Sequence, residues 1–236
     1  MDSSQDSLRR DAARIGALAD PVRHQLYQFV CSQPAPVSRD QAADAVGIPR
    51  HQAKFHLDRL EAEGLLESDY ARLTGRSGPG AGRTSKLYRR ARRNIAVSLP
   101  QREYELAGRL MAAAIAQSAS TGAPVVELLN QTAHDYGRGI GAAAVTAGQQ
   151  RPADGDSALE LAVGVLSEHG YEPRHVDAEV YLANCPFYGL AQERTELACN
   201  MNHALITGVA EALAPYSPRA RLDPGPARCC VVLTAS

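Results

Sequence analysis

The first third of the chain shows the spacing of apolar residues, three and four positions apart, that is typical of amphipathic helices. Such positions run through residues 7–31, where Pro21 interrupts them. Asp20 can cap a helix, and proline is well tolerated in a first helical turn. We therefore expect two helices here, the second beginning at Pro21.

The next two apolar patterns are shorter and follow each other closely. Ser38 can cap a helix over residues 39–46, and Gly47 then stands where a left-handed residue favours the end of a helix. A further helix is predicted over residues 49–63. Two short helices joined by a Gly-Ile-Pro turn have the spacing of a helix-turn-helix.

A hairpin pattern follows Gly64, which is expected to stop the helix predicted over residues 49–63. Residues 65–68 read as a strand and residues 84–89 alternate as a returning strand does, and residues 75–82 between them contain four glycines. These features predict a winged helix-turn-helix domain over residues 1–95.

The predicted second helix of the motif and the wing carry the side chains that we expect to contact DNA. Such a helix enters the major groove, where arginine and glutamine can pair bidentately with guanine and adenine, and basic wing residues suit phosphates or the minor groove. Phe55 and His56 are interpreted as packing residues. The candidate DNA-binding residues are Arg50, His51, Gln52, Lys54 and Arg59 of the helix, and Arg76, Arg83 and Lys86 of the wing.

From residue 99 onward the pattern changes to longer helices and a second group of strands. Two Ala-rich helices, over 101–118 and 124–147, are expected to form a linker and dimerisation region over residues 96–150. Helices over 157–169 and 193–213 then accompany four strands, predicted over 171–176, 178–183, 219–222 and 228–234. The fold class is therefore α+β, with a C-terminal α+β sensor domain over residues 151–236.

Charge is distributed unevenly between the two halves of the chain. Residues 1–93 hold 16 Lys and Arg against 11 Asp and Glu, a balance of +5, and the remainder holds 9 against 15, a balance of −6. The basic half is a candidate for a polyanionic partner, although +5 is a modest excess.

Several function classes are excluded by the patterns that the sequence lacks. It has no run of about 18 apolar residues and begins with a polar segment, so we expect no membrane helix, no secretory signal and a cytoplasmic location. It shows no nucleophile–base pair, paired-carboxylate motif or P-loop, so we do not expect an enzyme.

Four of the five cysteines lie in the last 52 residues, namely Cys185, Cys199, Cys229 and Cys230. In a cytosolic protein such clustering favours metal or redox chemistry over structural disulfides. The spacing is that of neither a zinc ribbon nor a ferredoxin, so the fold would have to gather the ligands. Neighbouring residues on a regular strand face opposite ways, so we expect only one of the adjacent pair at the site unless a bulge intervenes. His203, four residues after Cys199, is the candidate fourth ligand.

Three stretches of the first half resemble ArsR-like (arsenic-repressor-type) winged-helix regulators. These are Leu-Ala-Asp-Pro-Val-Arg-His-Gln-Leu at 18–26, the segment 54–66, and Gly-Arg-Thr-Ser-Lys-Leu-Tyr at 82–88. The resemblance implies DNA binding as a homodimer on a palindromic operator. The thiolate pair of the metal-sensing members is lacking, and Cys31 is interpreted as a small buried residue.

The last third resembles the C-terminal domain of the repressor of the Suf iron–sulfur assembly operon. The match runs over residues 157–234 and includes Cys185-Pro186-Phe187, the segment around Cys199 and the terminal cysteine pair. It implies cysteines that hold an iron–sulfur cluster, [4Fe–4S] in preference to [2Fe–2S], and a cluster-loaded dimer that binds its operator and represses. Thiolates suit zinc equally well, so a zinc or thiol-redox module stays open, as does a small-molecule sensor without metal.

Overall fold

The structure is a computed structural model that describes residues 3–71, 84–148, 151–225 and 228–236. The chain is α+β, as predicted, and divides into two compact units, Met1–Val97 and Ser98–Ser236. The predicted glycine-rich wing segment, with Arg76 and Arg83, lies outside the described residues.

The first unit contains four helices and three strands among its described residues. They are α1 (Ser3–Ala17), α2 (Pro21–Ser32), β1 (Val37–Ser38), α3 (Arg39–Val46), α4 (Arg50–Ala62), β2 (Leu66–Ala71) and β3 (Ser85–Arg90).

The helix boundaries of this unit are set by the caps that the sequence predicts. The Asp20 carboxylate accepts a hydrogen bond from the Arg23 backbone N–H at 2.9 Å, and Ser38 forms a reciprocal capping box with Gln41. Gly47 and Gly64 end α3 and α4 with φ angles of 72° and 70°, which a residue with a Cβ rarely adopts. The predicted helix-turn-helix and its flanking turns are therefore confirmed.

The predicted hairpin is an antiparallel pair in which Leu66 faces Arg90 and Ala71 faces Ser85. A strand that the sequence did not predict, β1, pairs with the other edge of β3 through Val37 and Tyr88. The hairpin and the helices bury one core, with Leu26, Leu57, Leu60, Leu66 and Tyr88 almost fully enclosed. Cys31 at the end of α2 is only half-buried, which corrects its interpretation as a buried residue.

The second unit consists of five helices and a four-stranded sheet within the described residues. The elements are α5 (Tyr104–Thr121), α6 (Val125–Ala147), α7 (Gly155–Glu168), β4 (Pro173–Val176), β5 (Glu179–Leu182), α8 (Tyr188–Glu193), α9 (Thr195–Glu211), β6 (Arg219–Leu222) and β7 (Val231–Thr234). The sheet is antiparallel in the order β4-β5-β7-β6. No helix in the described part of the chain is long and apolar enough to cross a bilayer.

The last strand begins later than predicted, and this changes the setting of the terminal cysteines. Pairing of β7 with β6 begins at Val231, opposite Leu222. Cys229 and Cys230 precede β7, and their backbone groups form hydrogen bonds with two different segments. The Cys229 N–H donates to the Leu182 carbonyl, and the Cys230 carbonyl accepts from the Asp223 N–H. Placing them on a regular strand was therefore wrong.

Helices α6 and α9 pack through glycines, so their backbones lie unusually close. A Cβ added at Gly137 would lie 2.0 Å from the Leu205 carbonyl oxygen, and one added at Gly208 would lie 2.1 Å from the His134 carbonyl oxygen. Only glycine fits such a crossing, which holds α9 firmly against α6.

Candidate functional site

Helix α4 presents one face to the core and the opposite face to solvent. Ala53, His56, Leu57 and Leu60 are buried, while His51 and Phe55 are exposed. With 3.6 residues per turn, these two lie opposite the buried row, and Gln52 is half-buried at its margin. An exposed helix face next to a hairpin is the arrangement with which winged helices enter the major groove.

Phe55 is not a packing residue, and that interpretation is wrong. It is 66 % exposed, whereas its neighbour His56 is 7 % exposed and packs as predicted. One step along a helix turns a side chain by about 100°, which is enough to separate adjacent residues onto the open and buried faces.

The candidate cations of α4 each have an acidic partner within the first unit. The pairs are Arg50–Asp40 at 3.5 Å, Lys54–Asp58 at 2.9 Å and Arg59–Glu63 at 2.6 Å, and the three basic side chains are more than half exposed. Exposed ion pairs stabilise a fold by only about 0.2–1 kcal/mol, so phosphates can compete for these cations.

Lys86 is held more tightly than the other candidates, because it joins β3 to α4. Its Nζ lies 3.0 Å from Asp58 Oδ1 and also donates to Glu61, and the buried Tyr88 hydroxyl donates to the same Asp58 oxygen at 2.8 Å. Burial lowers the pKa of Lys86, but its hydrogen bonds to Glu61 and Asp58 outweigh this and raise the pKa well above its usual range. The structure thus places Lys86 in a brace between wing and helix, which we call the wing brace: Asp58, Glu61, Lys86 and Tyr88.

The carboxylate at the centre of the wing brace is stabilised in its charged form. Desolvation raises the pKa of Asp58, yet hydrogen bonds from Lys54, Lys86 and Tyr88 together lower it to about 2. A cleft of about 660 Å³ adjoins the brace, between the start of α3, helix α4 and the hairpin, and Lys54, Tyr70 and Thr84 are among its lining residues.

Replacing Asp58 by Asn should remove a pH-dependent part of the stability of the first unit. The lowered pKa means that the charge of Asp58 stabilises the folded unit above its unfolded pKa of about 4, and that this contribution is lost as the pH falls toward 2. The side chain is 34 % exposed, so screening limits the effect to roughly 1 kcal/mol. Urea unfolding should show the gap between wild type and variant narrowing from pH 7 to pH 2.5, and a gap independent of pH would contradict the assignment.

Four cysteines of the second unit form a connected group, the thiol cluster: Cys185, Cys199, Cys229 and Cys230. The first follows β5, the second lies in α9 and the adjacent pair precedes β7. The thiols influence one another's pKa values in the order Cys199, Cys230, Cys229 and Cys185. Both cysteines of the adjacent pair influence a thiol from another segment, and which of the two would serve as a ligand stays a prediction.

The position of each thiol in this order determines its acidity. Cys185 accepts from Cys229, which lowers the pKa of Cys185 and raises that of Cys229 to about 12. Burial, with the bond to Cys230, raises the pKa of Cys199 to about 12, and the bond to Cys229 raises that of Cys230 well above its usual range. Cys185 is therefore the thiol of the cluster that ionises first.

A buried polar pair that sequence reasoning missed supports the thiol cluster. Asn202, which is fully buried, donates from Nδ2 to Cys229 Sγ at 3.1 Å, and its Oδ1 accepts from the buried Tyr171 hydroxyl. Burial raises the pKa of Tyr171 well above its usual range, so it remains a donor. The available signal was the spacing of Asn202, three residues after Cys199 on one helix.

The turn that carries Cys185 is fixed by a second network. Arg102 donates to the Asn184 side-chain oxygen at 2.5 Å and to the Cys185 carbonyl at 3.2 Å, while Asn184 donates to the Gly170 carbonyl at 2.6 Å. Buried and bonded on several sides, this turn holds Cys185 in place relative to α7 and the start of α5.

His203 and the thiols do not combine into a ready-made metal site. The His203 Nε2 lies 3.1 Å from the Ala220 carbonyl and donates to it. Within the described residues, no group of three or more His, Cys, Asp or Glu side chains is arranged to hold a metal ion. The role of His203 as a fourth ligand stays a prediction.

Comparison with known proteins addresses the first unit. Residues 18–69 match the family model of a helix-turn-helix domain, and this stretch runs from the start of the α1–α2 connection into β2. Neither a curated protein nor a solved structure matches the chain. The match identifies a DNA-binding helix-turn-helix domain of the kind found in transcription regulators, and it is consistent with the ArsR-like resemblance.

Proposed function

We propose that the protein is a homodimeric transcription repressor whose thiol cluster binds an iron–sulfur cluster that controls binding to a palindromic operator. The observation that carries the DNA-binding part is the helix-turn-helix match, together with the exposed face of α4. The sensing part is supported by four thiols that three separate segments bring together inside the second unit.

The thiol cluster fits such a cofactor in the type of ligand that it offers. Cysteine thiolates are the usual ligands of iron–sulfur clusters, and Cys185, Cys199 and the adjacent pair would supply them. When bound, the cofactor supplies a redox-sensitive centre whose loss frees the thiols. The chain itself supplies Arg102 and Asn184 to hold the Cys185 turn, and the glycine crossing that holds α9 to α6.

Spectra and metal content of anaerobically purified protein would test the sensing part. We expect a visible chromophore with bound iron, lost in Cys185→Ser and in Cys199→Ser. Cys31→Ser is the matched control, because Cys31 lies in the first unit, and it should keep the full chromophore. A colourless protein with stoichiometric zinc, or a chromophore that survives both substitutions, would overturn the proposal.

Selection of duplexes from a random DNA library would test the DNA-binding part. A dimer with one recognition helix per protomer should select a two-fold symmetric sequence with half-sites about one helical turn apart. We expect the iron-loaded protein to bind this sequence more tightly than protein from which iron has been removed. Recovery of no preferred sequence would contradict operator binding.

A thiol-redox module is the second candidate, favoured by the interaction between the Cys229 and Cys185 thiols that lowers the pKa of Cys185. Two thiols in contact can lose two electrons and two protons to an oxidant such as a peroxide and form one disulfide, while the oxidant is reduced to water or alcohol. Peptide mapping after peroxide treatment of iron-free protein would detect a Cys185–Cys229 disulfide. Protein that forms no disulfide and carries iron would exclude this candidate.

A further inference from the structure

Phe55 is a large apolar side chain that lies outside the core. It exposes 66 % of its surface on α4, and its ring meets the His56 ring edge-on at 5.3 Å between centroids. Single exposed apolar residues are ordinary on protein surfaces, so exposure alone indicates little. The position of Phe55 on the helix is the more specific observation.

The helical period places Phe55 near the middle of the solvent-facing side of α4. The buried residues of α4 define the inward direction of the helix. Phe55 lies within about 30° of the opposite, outward direction, whereas Arg50 and Gln52 lie about 90–110° away from that outward direction. Phe55 also lies in the second turn of the helix, close to the end that enters the groove first. In a docked complex it would face the floor of the major groove more directly than those two residues.

The charged neighbours of Phe55 are compatible with this approach to DNA. Asp58, on the same side of the helix, would repel phosphates if its charge were free. Its charge is instead compensated by Lys54 at 2.9 Å and by Lys86 at 3.0 Å. The open face thus offers DNA a largely uncharged aromatic surface flanked by a lysine.

The chemistry of a phenylalanine ring limits what it can recognise in the groove. It can neither donate nor accept a conventional hydrogen bond, so it cannot read the polar edges of bases. The one apolar group that the major groove displays is the 5-methyl of thymine, which apolar side chains contact.

From this position and chemistry we infer that Phe55 contacts a thymine 5-methyl group and is a specificity-determining residue for operator recognition. The inference rests on the DNA binding proposed above, and it names a residue outside the polar candidates. It requires one methyl-sensitive thymine at the same place in each half-site.

Replacement of thymine by deoxyuridine removes only that methyl and therefore tests the inference directly. The probe is the duplex that wild-type protein selects from a random library, with its thymines replaced one symmetric pair at a time. Binding of wild type should weaken about fourfold per methyl at one pair and hardly at the others. In Phe55→Ala the same replacement should have no effect, and Phe55→Leu should retain part of it.

Ile15→Ala provides the matched control, because Ile15 is also an exposed apolar residue of the first unit but lies on α1 instead of α4. This variant should keep the methyl sensitivity that Phe55→Ala loses, and both variants should unfold within about 0.5 kcal/mol of wild type. Equal sensitivity in wild type and Phe55→Ala, or none at any thymine, would overturn the inference while leaving operator binding intact. Failure of wild type to select any sequence would overturn both.

Discussion

Gly137→Ala should destabilise the second unit by about 3 kcal/mol, because its new methyl group would collide with the backbone of α9. A Cβ at this position would lie 2.0 Å from the Leu205 carbonyl oxygen and 2.9 Å from the Leu205 carbonyl carbon. Neither obstacle is the end of a flexible side chain, so the two helices must move apart. That movement would also separate the buried residues of α9 from those of α6.

Gly139→Ala is the control, two residues further along the same helix. A Cβ there meets no described atom within 4 Å, and alanine is the better helix former by about 1 kcal/mol. The two substitutions are chemically identical but should shift the urea midpoint in opposite directions. If Gly137→Ala lost no stability, the glycine crossing would not be as close as the structure has it. An equal loss in both variants would mean that the effect is not specific to the crossing.

The elements that could be predicted from sequence are those defined by local signals. Ser38, Gly47 and Gly64 act within one or two helical turns, and the structure confirms the boundaries that they predict. By contrast, β1 has only two residues, too few for any alternation to be visible, and it forms because β3 offers a free edge.

The features that could not be predicted depend on contacts between distant segments. In the close α6–α9 crossing, Gly137 and Gly208 each lie against the backbone of the opposite helix although 71 residues separate them in the chain, and no local pattern encodes that packing. The terminal cysteines lie outside a regular strand because β7 begins at Val231, and strand starts are set by pairing with a neighbour. Phe55 was misread because exposure on a short helix depends on which face the core selects.

Asn202→Leu should cost about 2 kcal/mol of stability, because it leaves a buried hydroxyl without its acceptor. Asn202 is fully buried and Tyr171 is 3 % exposed, so water cannot replace the lost partner at either end. An unsatisfied buried donor carries a penalty of about 1–3 kcal/mol. Leucine has the branched outline of asparagine but a larger volume, so a double variant with Tyr171→Phe is needed to separate the lost hydrogen bond from packing. Urea unfolding under anaerobic, reducing conditions would measure it.

Combining Asn202→Leu with Tyr171→Phe should recover most of that loss, which separates a hydrogen-bonding role from a packing role. Removing both partners leaves no polar group unpaired except the Cys229 thiol, which is a weak acceptor and still bonds Cys185. Each single variant should therefore be less stable than the double variant. If the losses of the two single variants simply add in the double variant, the pair does not act as a unit, and the support of the thiol cluster lies in the shape of its surroundings instead.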